Sequence, residues 1–207
     1  MVEGQLRRRG IRDERLLAAM GRVPRHEFVG PRQQEAYADH PVVIGEEQTT
    51  SQPYIIAAML QAAEISGHDR VLEIGAGSGY QTALLAELAA QVFAVERHAS
   101  LAEHAQETLA RLGYSNVKLV TGDGSLGYPA GAPYDAIVVS CAAPGIPPAL
   151  IAQLAPHGRL VIPVGPREQQ ALELVRKLPD GATTVHVLEG CCFVPLIGEQ
   201  GFQAGGS

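Results

Sequence analysis

Short apolar runs alternate with segments of helical periodicity through the middle of the chain. The runs are continuous, which is typical of strands buried on both faces: VLEI, VFAV, VKLV, AIVV and RLVIPV, beginning at positions 71, 92, 117, 136 and 159. Between them, the spacing of apolar residues predicts helices near residues 80–89, 100–112 and 148–154. The alternation predicts an α/β fold with a mostly parallel sheet flanked by helices.

The two ends of the chain depart from this alternation. Residues 11–20 predict a helix, and the segment from there to Gln48 is irregular, with many Pro, Gly and charged residues. Near the other end, two extended runs flank Pro179-Asp180-Gly181, a turn sequence, so an antiparallel hairpin is expected to extend the sheet. We expect one domain, made of an N-terminal arm covering the site (1–50), an α/β core (51–165), a hairpin with a final strand (166–197) and a disordered tail (198–207).

Two serines stand at positions typical of helix starts. Ser51 lies where an N-cap would be, with Pro53 in the first turn, and predicts a helix from that point. Ser100 is followed by Glu103, a spacing that predicts a capping box.

The composition limits the kinds of partner. With 46% hydrophobic residues among 207, the chain can form one domain with a sizeable core. No apolar stretch reaches the roughly 20 residues of a membrane span, and a signal-peptide core is lacking, so we expect a cytoplasmic protein with no membrane partner. The net charge of −6 disfavours nucleic acid as a partner. The only basic run, Arg7-Arg8-Arg9, is expected to be solvated and frayed.

Cysteine and histidine spacing gives no sign of a metal site. Cys141, Cys191 and Cys192 have neither metal-ligand spacing nor a disulfide pattern, so reduced thiols are expected. The seven histidines show no metal motif either. The sequence therefore predicts no metal.

The strongest chemical signal is EIGAGSGY, where the first core strand meets its helix. Gly75, Gly77 and Gly79 let the backbone turn sharply and approach a ligand, although a structural turn without a ligand stays open. An NAD fingerprint would carry glycine at position 80, whereas this chain has Tyr80, which disfavours an NAD-dependent oxidoreductase. The pattern resembles the first motif of class I methyltransferases, which implies that Glu73 lies near the cationic amino acid end of S-adenosyl-L-methionine.

Two further acidic positions follow the next strands. Glu96 ends VFAVE about twenty residues after the glycines, where a carboxylate can accept both hydroxyls of a ribose. A solvated acid at a strand end is the alternative. Gly122-Asp123-Gly124 follows VKLV and resembles the position where class I methyltransferases hold adenine, although a plain Asp-Gly turn fits nearly as well. We therefore assign Glu96, Asp123 and Gly124 to the cofactor.

The segment before the first core strand indicates which family of methyltransferases the sequence resembles. IGEEQTTSQPYIIA resembles the signature of protein-L-isoaspartate O-methyltransferases, commonly Gln-Thr-Ile-Ser-x-Pro, and it matches at Gln48, Thr49, Ser51 and Pro53. VPRHEFV, AYADHPVVIG, AAP, GRLVIPVG and FVPL extend the resemblance over residues 11–197. It implies a Rossmann-like class I methyltransferase fold.

The resemblance also implies a reaction. A methyl group would pass from S-adenosyl-L-methionine, leaving S-adenosyl-L-homocysteine, to the α-carboxylate of L-isoaspartyl and by extension D-aspartyl residues in damaged proteins. Ser51 would be the active-site serine, a helix N-cap being its alternative role. The mouth of the site and the loop along the substrate backbone would be formed by Gln48, Thr49, Ala142, Ala143 and Pro144. An α-carboxyl with a pKa of ~3.5 is already ionised at neutral pH, so no general base is required. We expect a monomer.

Two departures from the family pattern keep other hypotheses open. Glu47 stands where the family usually has glycine, and Thr50 replaces the usual isoleucine. The pair Glu46-Glu47 and Thr50 motivate a second hypothesis, a class I methyltransferase for a small metabolite or a dedicated peptide carboxylate. A catalytically silent module that binds the cofactor is a third. We expect Glu47 to face solvent.

Overall fold

The N-terminal arm is built from short helical turns and one helix. The computed structural model describes residues 1–205; Gly206 and Ser207, which belong to the predicted disordered tail, lie outside the described residues. Helix α1 spans Glu14–Arg22 and begins later than predicted, because the Asp13 carboxylate accepts hydrogen bonds from the amides of Arg15 and Leu16. In residues 1–205, none of the helices is long and apolar enough to cross a membrane.

The basic run near the N-terminus is bonded to the arm, so the expectation of a frayed segment is wrong for two of its residues. Arg7 forms ion pairs with two acidic side chains. Arg9 donates to Asp39 at 2.6 Å, and its guanidinium lies 3.3 Å from the ring centre of Tyr54. Arg8 is exposed, as expected. Opposite charges and an aromatic face hold the run in place.

A small hairpin follows where an irregular segment was expected. Strands β1 (Val42–Gly45) and β2 (Gln48–Thr50) pair antiparallel through a two-residue turn. Both turn residues, Glu46 and Glu47, have positive φ angles of 50° and 57°. Turns of this kind usually carry Asn-Gly, because a side chain strains the backbone there.

The first turn of the helix after the hairpin is bonded to a side chain that is distant in sequence. Helix α2 spans Pro53–Ala63; its N-cap is Gln52, whose side chain makes no capping bond. The N-cap role considered for Ser51 is therefore wrong, since Ser51 lies one residue too early. Asp39 of the arm accepts a hydrogen bond from the amide of Tyr54 at 3.1 Å and binds the arm to this helix.

The predicted capping box at Ser100 is also wrong. Helix α4 spans Ala99–Arg111 with His98 as its N-cap, so Ser100 lies inside the helix. The Ser100 hydroxyl instead donates to Oε1 of Glu46 at 2.6 Å. This contact links the hairpin turn to the first turn of α4.

The central sheet confirms the predicted α/β fold. Its strands are β3 (Arg70–Ile74), β4 (Gln91–Glu96), β5 (Val117–Thr121), β6 (Tyr134–Val139), β7 (Leu154–Val164), β8 (Gln170–Lys177) and β9 (Thr183–Cys191), and the remaining helices are α3 (Tyr80–Leu88) and α5 (Pro148–Gln153). Within the described residues, these seven strands lie in the order β5-β4-β3-β6-β7-β8-β9, parallel from β5 to β7, with β8 and β9 added antiparallel.

The sheet is buried on both faces, as the continuous apolar runs predict. Val71 of β3 packs in one cluster with side chains of α1, α2 and α3, whereas Leu72 and Ile74 pack in a second cluster that includes α5. Successive residues of a strand point to opposite faces, which explains the division. Because β3, β4 and β6 are parallel, their carboxyl ends meet at one edge of the sheet, between the two layers.

Part of the segment predicted to be disordered packs against the loop after β5. The amide of Glu199 donates to Oδ2 of Asp123 at 2.8 Å. Gly198 lies so close to the same carboxylate that a Cβ there would collide with it. The segment predicted to be disordered, 198–207, thus includes a glycine that allows close packing.

Candidate active site

The three glycines of EIGAGSGY form the turn between β3 and α3. Their φ angles are 82° at Gly75, 54° at Gly77 and 86° at Gly79, a region that glycine occupies without strain. Gly79 also lets α3 approach α4, because a Cβ there would lie 3.1 Å from that of Ala105. The turn is therefore a close-approach loop whose backbone faces a cavity.

This cavity, the inner cavity, lies at the carboxyl ends of β3, β4 and β6, where open α/β sheets bind ligands. Its walls are Gln48, Thr49, Ile74, Gly75, Gly77, Val95, Glu96, Arg97, His98, Gly124, Ser140, Cys141, Val194, Pro195, Leu196 and Ile197. Both the arm and the chain after β9 contribute to it. A ligand there would contact segments far apart in sequence.

Glu96 places a buried carboxylate in the wall of the inner cavity. Its side chain accepts hydrogen bonds from the amides of Gly77 and His98, each at 2.9 Å. With 6% of its surface exposed, Glu96 is not the solvated strand-end acid considered as the alternative. A carboxylate has about four acceptor positions, so two remain for hydroxyl donors from a ligand.

Glu73 is a second buried carboxyl close to the glycine loop. It has no exposed surface, and it accepts hydrogen bonds from Thr82 Oγ1 at 2.5 Å and Gln81 Nε2 at 3.1 Å. Burial raises the pKa of Glu73 to about 8, against the opposing effect of these two bonds. A cationic group entering nearby would favour the ionised form.

The loop after β5 contributes Gly124 to the inner cavity, while Asp123 supports the loop. The Asp123 carboxylate accepts from the amides of Ser125 at 2.9 Å and Glu199 at 2.8 Å, and within residues 1–205 it is not part of the cavity wall. A Cβ at Gly124 would collide with Ile74. The Asp-Gly turn is thus real, and its glycine is the part that faces the cavity.

A second cavity of about 320 Å³, the outer cavity, opens beside the first. It is lined by Arg9, Pro41, Thr49, Ser51, Gln52, Ile55, Ser140, Glu189, Gly190, Cys191, Cys192, Phe193 and Val194. A smaller linking cavity between the two includes Ser51, Glu73, Gly75 and Gln81. Thr49 and Ser140 line all three, so the cavities converge at these two side chains.

The signature segment lies at this junction. Thr49 is exposed to all three cavities, Gln48 faces the inner one, and Ser51 faces the outer and linking ones. Arg25 Nη2 donates to the Ser51 carbonyl at 2.8 Å, which fixes the backbone of the serine. The three predicted residues of the segment are therefore brought together beside the glycine loop.

The predicted substrate loop does not line the cavities. Ala142 and Ala143 have no exposed surface, and their amides donate to the carbonyls of Val194 and Pro163. Amide protons already donated in this way are not free to bond a substrate backbone. Pro144 is exposed, but in the described chain it lies outside all three cavity walls. Val194 takes their place, because it lines both the inner and the outer cavity.

Two further residues were not expected from the sequence. Ser140 directly follows β6, so its place at the carboxyl end of a central strand could have indicated it. Arg25 has no exposed surface; it bridges the Ser51 carbonyl and the Ala36 carbonyl, and its guanidinium lies 4.6 Å from the ring centre of Tyr80. No local pattern indicated a buried arginine in the arm.

Potential metal ligands are not gathered at the site. Across residues 1–205, no three or more His, Cys, Asp or Glu side chains are placed to hold a metal ion. The three cysteines are free thiols, and burial raises the pKa of Cys141, which keeps that thiol uncharged in the wall of the inner cavity.

Comparison with known proteins places the chain in a family. The sequence profile of the family described as Protein-L-isoaspartate(D-aspartate) O-methyltransferase matches residues 1–201. The chain belongs to this family. A protein-L-isoaspartate O-methyltransferase from Methanoculleus marisnigri is 58% identical over 206 residues, covering 98% of this chain and 92% of the relative. One from Koribacter versatilis is 57% identical over 204 residues, covering 98% and 91%.

A solved structure of the same family has the same fold. The putative protein-L-isoaspartate O-methyltransferase from Plasmodium falciparum, solved in complex with S-adenosyl-L-homocysteine, superimposes with a TM-score of 0.80 at 26% identity. The match covers 92% of this chain and 94% of that one. Family membership removes the NAD-dependent oxidoreductase from consideration, and the predicted class I methyltransferase fold is confirmed.

The hairpin turn gives a first prediction, at the position where protein-L-isoaspartate O-methyltransferases usually have glycine. Glu47 is exposed and has a positive φ angle. Changing Glu47 to Gly removes a left-handed strain of about 1–2 kcal/mol and adds an entropic cost of about 0.5–1 kcal/mol, so we expect a gain in unfolding free energy of up to about 1.5 kcal/mol. The Michaelis constant for a peptide substrate should change little. Chemical unfolding and steady-state kinetics measure both.

The adjacent residue supplies a matched control. Glu46 has the same backbone conformation, but its side chain accepts the bond from Ser100. Glu46→Gly should therefore be less stabilising than Glu47→Gly. A large fall in the Michaelis constant for Glu47→Gly would show instead that this carboxylate faces the substrate.

Proposed function

We propose that this chain transfers the methyl group of S-adenosyl-L-methionine to the free α-carboxylate of L-isoaspartyl residues in damaged proteins and peptides. The observation that carries the proposal is the junction of the inner and outer cavities at Thr49 and Ser140, with Ser51 beside it. The inner and linking cavities present the buried carboxylates of Glu96 and Glu73 to a ligand with hydroxyl and cationic groups, and the outer cavity can admit a polypeptide residue from outside. The family match supports the same activity.

The residues around the inner and linking cavities fit this cofactor. Glu96 would accept the two ribose hydroxyls, Glu73 would face the ammonium group, and the glycine loop leaves room for close approach. Gly124 would contact the adenine, with Asp123 holding its turn in place. When bound, S-adenosyl-L-methionine supplies a methyl group that is activated by the positive charge on its sulfur.

The chain's own contribution is to position the acceptor. The α-carboxyl of an isoaspartyl residue has a pKa of ~3.5 and is ionised at neutral pH, so no residue has to remove a proton. The Ser51 hydroxyl would donate to this carboxylate, with Gln48 and Thr49 at the rim of the site. Holding the reacting oxygen about 3–3.5 Å from the methyl carbon, in line and away from water, is the main catalytic task.

The product of this reaction begins a repair. Esterification makes the α-carbonyl carbon electrophilic, so the neighbouring backbone nitrogen can attack it and close a succinimide ring, while the methoxy group leaves as methanol with the proton of that nitrogen. Hydrolysis of the ring returns part of the material to normal aspartate. D-aspartyl residues, which the family description also includes, form a second substrate class.

Paired peptides test the proposal. Peptides that differ only in carrying L-isoaspartate, L-aspartate or D-aspartate at one position would be incubated with methyl-labelled S-adenosyl-L-methionine. We expect strong labelling of the isoaspartyl peptide and none of the L-aspartyl peptide. Equal labelling of both, or labelling of neither, would contradict the proposal. Calorimetric binding of S-adenosyl-L-homocysteine without any labelling would indicate a silent cofactor-binding module.

Removal of the serine hydroxyl gives a second prediction. Ser51→Ala should lower kcat/KM for the isoaspartyl peptide by about 10-fold to 100-fold, the effect of one hydrogen bond to a charged group. Affinity for S-adenosyl-L-homocysteine should change little. Ser100→Ala, which removes an exposed hydroxyl bonded only to Glu46 among the described residues, is the control. If Ser51→Ala turns over as fast as the parent enzyme, Ser51 does not contact the acceptor.

We propose that the enzyme works as a cytoplasmic monomer on isoaspartyl-containing proteins, without a nucleic-acid or membrane partner. The free thiols agree with a reducing compartment. The net charge of −6 opposes binding to a phosphate backbone.

A further inference from the structure

Ser140 lies at the point where the three cavities meet. It is the first residue after β6, and its amide donates to the carbonyl of Ile74 at 2.8 Å, which fixes it beside the end of β3. Its half-buried side chain lines the inner, linking and outer cavities, and only Thr49 among the described residues does the same. A ligand that spans the cavities must therefore pass this hydroxyl.

The buried side-chain amide of Gln81 determines the orientation of the Ser140 hydroxyl. Gln81 Nε2 donates one hydrogen to Glu73 Oε1 at 3.1 Å and the other to Ser140 Oγ at 2.7 Å. Gln81 is 6% exposed and Glu73 is fully buried, so this arrangement is held inside the protein. Thr82 donates to the other oxygen of Glu73 and fixes that carboxyl in turn.

The direction of these bonds leaves the proton of the Ser140 hydroxyl without an acceptor among the described residues. A serine hydroxyl has a single proton and two acceptor positions. Because Oγ of Ser140 accepts from Gln81, its own proton is available to another acceptor, and within residues 1–205 its side chain makes no other hydrogen bond. This proton can therefore point toward the junction of the three cavities.

We propose that Ser140 is a second substrate-binding hydroxyl, which donates to the isoaspartyl α-carboxylate, and that Gln81 is a positioning residue that keeps the Ser140 proton pointed at the cavity junction. The inference rests on the proposed function. Ser51 reaches the junction from the arm and Ser140 reaches it from the sheet, so the two hydroxyls approach the carboxylate from different elements. Two such bonds would select the oxygen that faces the methyl group.

Substitution of Ser140 tests the first part. Ser140→Ala should lower kcat/KM for the isoaspartyl peptide by about 10-fold to 100-fold, as expected for one lost hydrogen bond to a carboxylate. The Kd for S-adenosyl-L-homocysteine should stay close to that of the parent enzyme, which also shows that the variant is folded. Ser140→Thr keeps the hydroxyl and should recover most of the activity.

A double-mutant cycle tests the second part. Gln81→Leu should lower kcat/KM less than Ser140→Ala, because the hydroxyl remains but loses its fixed direction. The double variant should be no worse than Ser140→Ala alone, since Gln81 acts through Ser140. Additive losses would show that Gln81 acts by another route. Ser66→Ala, which removes a bonded hydroxyl at the opposite end of the strands, is the control and should retain kcat/KM.

The outcomes separate this inference from the proposed function. If the parent enzyme labels the isoaspartyl peptide and Ser140→Ala labels it equally fast, the role of Ser140 is wrong and the proposed function stands. If Ser140→Ala loses cofactor affinity in parallel with kcat/KM, Ser140 belongs to the cofactor site alone and the inference is also wrong. Failure of the parent enzyme to label the peptide would overturn the proposed function itself.

Discussion

Replacing Glu96 with alanine should weaken the binding of S-adenosyl-L-homocysteine on the order of 100-fold or more, since each hydrogen bond to a charged group contributes about 1.5–3 kcal/mol. Two such bonds to ribose hydroxyls would be lost. The substitution also removes the acceptor for the amides of Gly77 and His98, which brace the glycine loop and the start of α4. The effect should therefore be larger than that of any single hydroxyl in the site.

Isothermal titration calorimetry of the purified variants measures this effect. Glu96→Gln is the informative companion, because its amide oxygen can still accept one backbone bond while the charge is gone. We expect its Kd to lie between those of the parent enzyme and Glu96→Ala. Glu107→Ala, at an exposed acid on α4, should leave the Kd unchanged. Parent-like affinity in Glu96→Ala would mean that the cofactor lies elsewhere.

Replacing Arg25 with methionine should lower both stability and turnover. The side chain has no exposed surface, and its loss leaves the carbonyls of Ala36 and Ser51 without donors. Leaving a buried acceptor without its donor typically costs about 1–3 kcal/mol. Because Ser51 is held through this bond, its hydroxyl would shift relative to the glycine loop, and a misplacement near 1 Å can cost about 100-fold in rate. We expect at least about a tenfold loss in kcat/KM.

A second arginine separates these two effects. Arg15 also donates to two backbone carbonyls, those of Ile65 and Leu88, but at the far end of the sheet from the cavities. Arg15→Met should lower the unfolding free energy less than Arg25→Met does, because Arg15 is exposed. At temperatures well below the melting temperature of the variant, Arg15→Met should leave kcat/KM unchanged. Arg25→Lys should not restore activity, since one ammonium cannot reproduce the guanidinium fork. Equal kinetic effects of the two methionine variants would contradict a positioning role for Arg25.

The parts of the fold that sequence could predict are those specified by local pattern. Continuous apolar runs identified every strand of the parallel core, and the start of α3 at Tyr80 follows directly from the glycines before it. The hairpin β1–β2 was missed because its strands are short and its Glu46-Glu47 turn lacks the Asn-Gly signal of such turns. Capping failed at Ser51 and Ser100 for a tertiary reason: an Asp39 bond and a Glu46 bond replace the expected local ones.

The residues of the candidate site also differ in whether a local sequence pattern could indicate them. The glycine loop and Glu96 are local motifs at strand ends, so their place in the cavity could be read from sequence. Ala142 and Ala143 resemble a substrate loop, but the segment around Val194 pairs with that loop and covers it, which only the folded chain reveals. Arg25 could not be predicted, because its function depends on carbonyls that are distant in sequence.

The most direct test of the account locates the methyl group itself. A peptide that contains one isoaspartyl residue, one normal aspartyl residue and a free C-terminus would be incubated with the enzyme and S-adenosyl-L-methionine, then fragmented by tandem mass spectrometry at low pH to preserve esters. We expect a single methyl ester, on the isoaspartyl α-carboxylate. An ester on the aspartyl side chain or the C-terminus, with the isoaspartyl carboxylate unmodified, would contradict it.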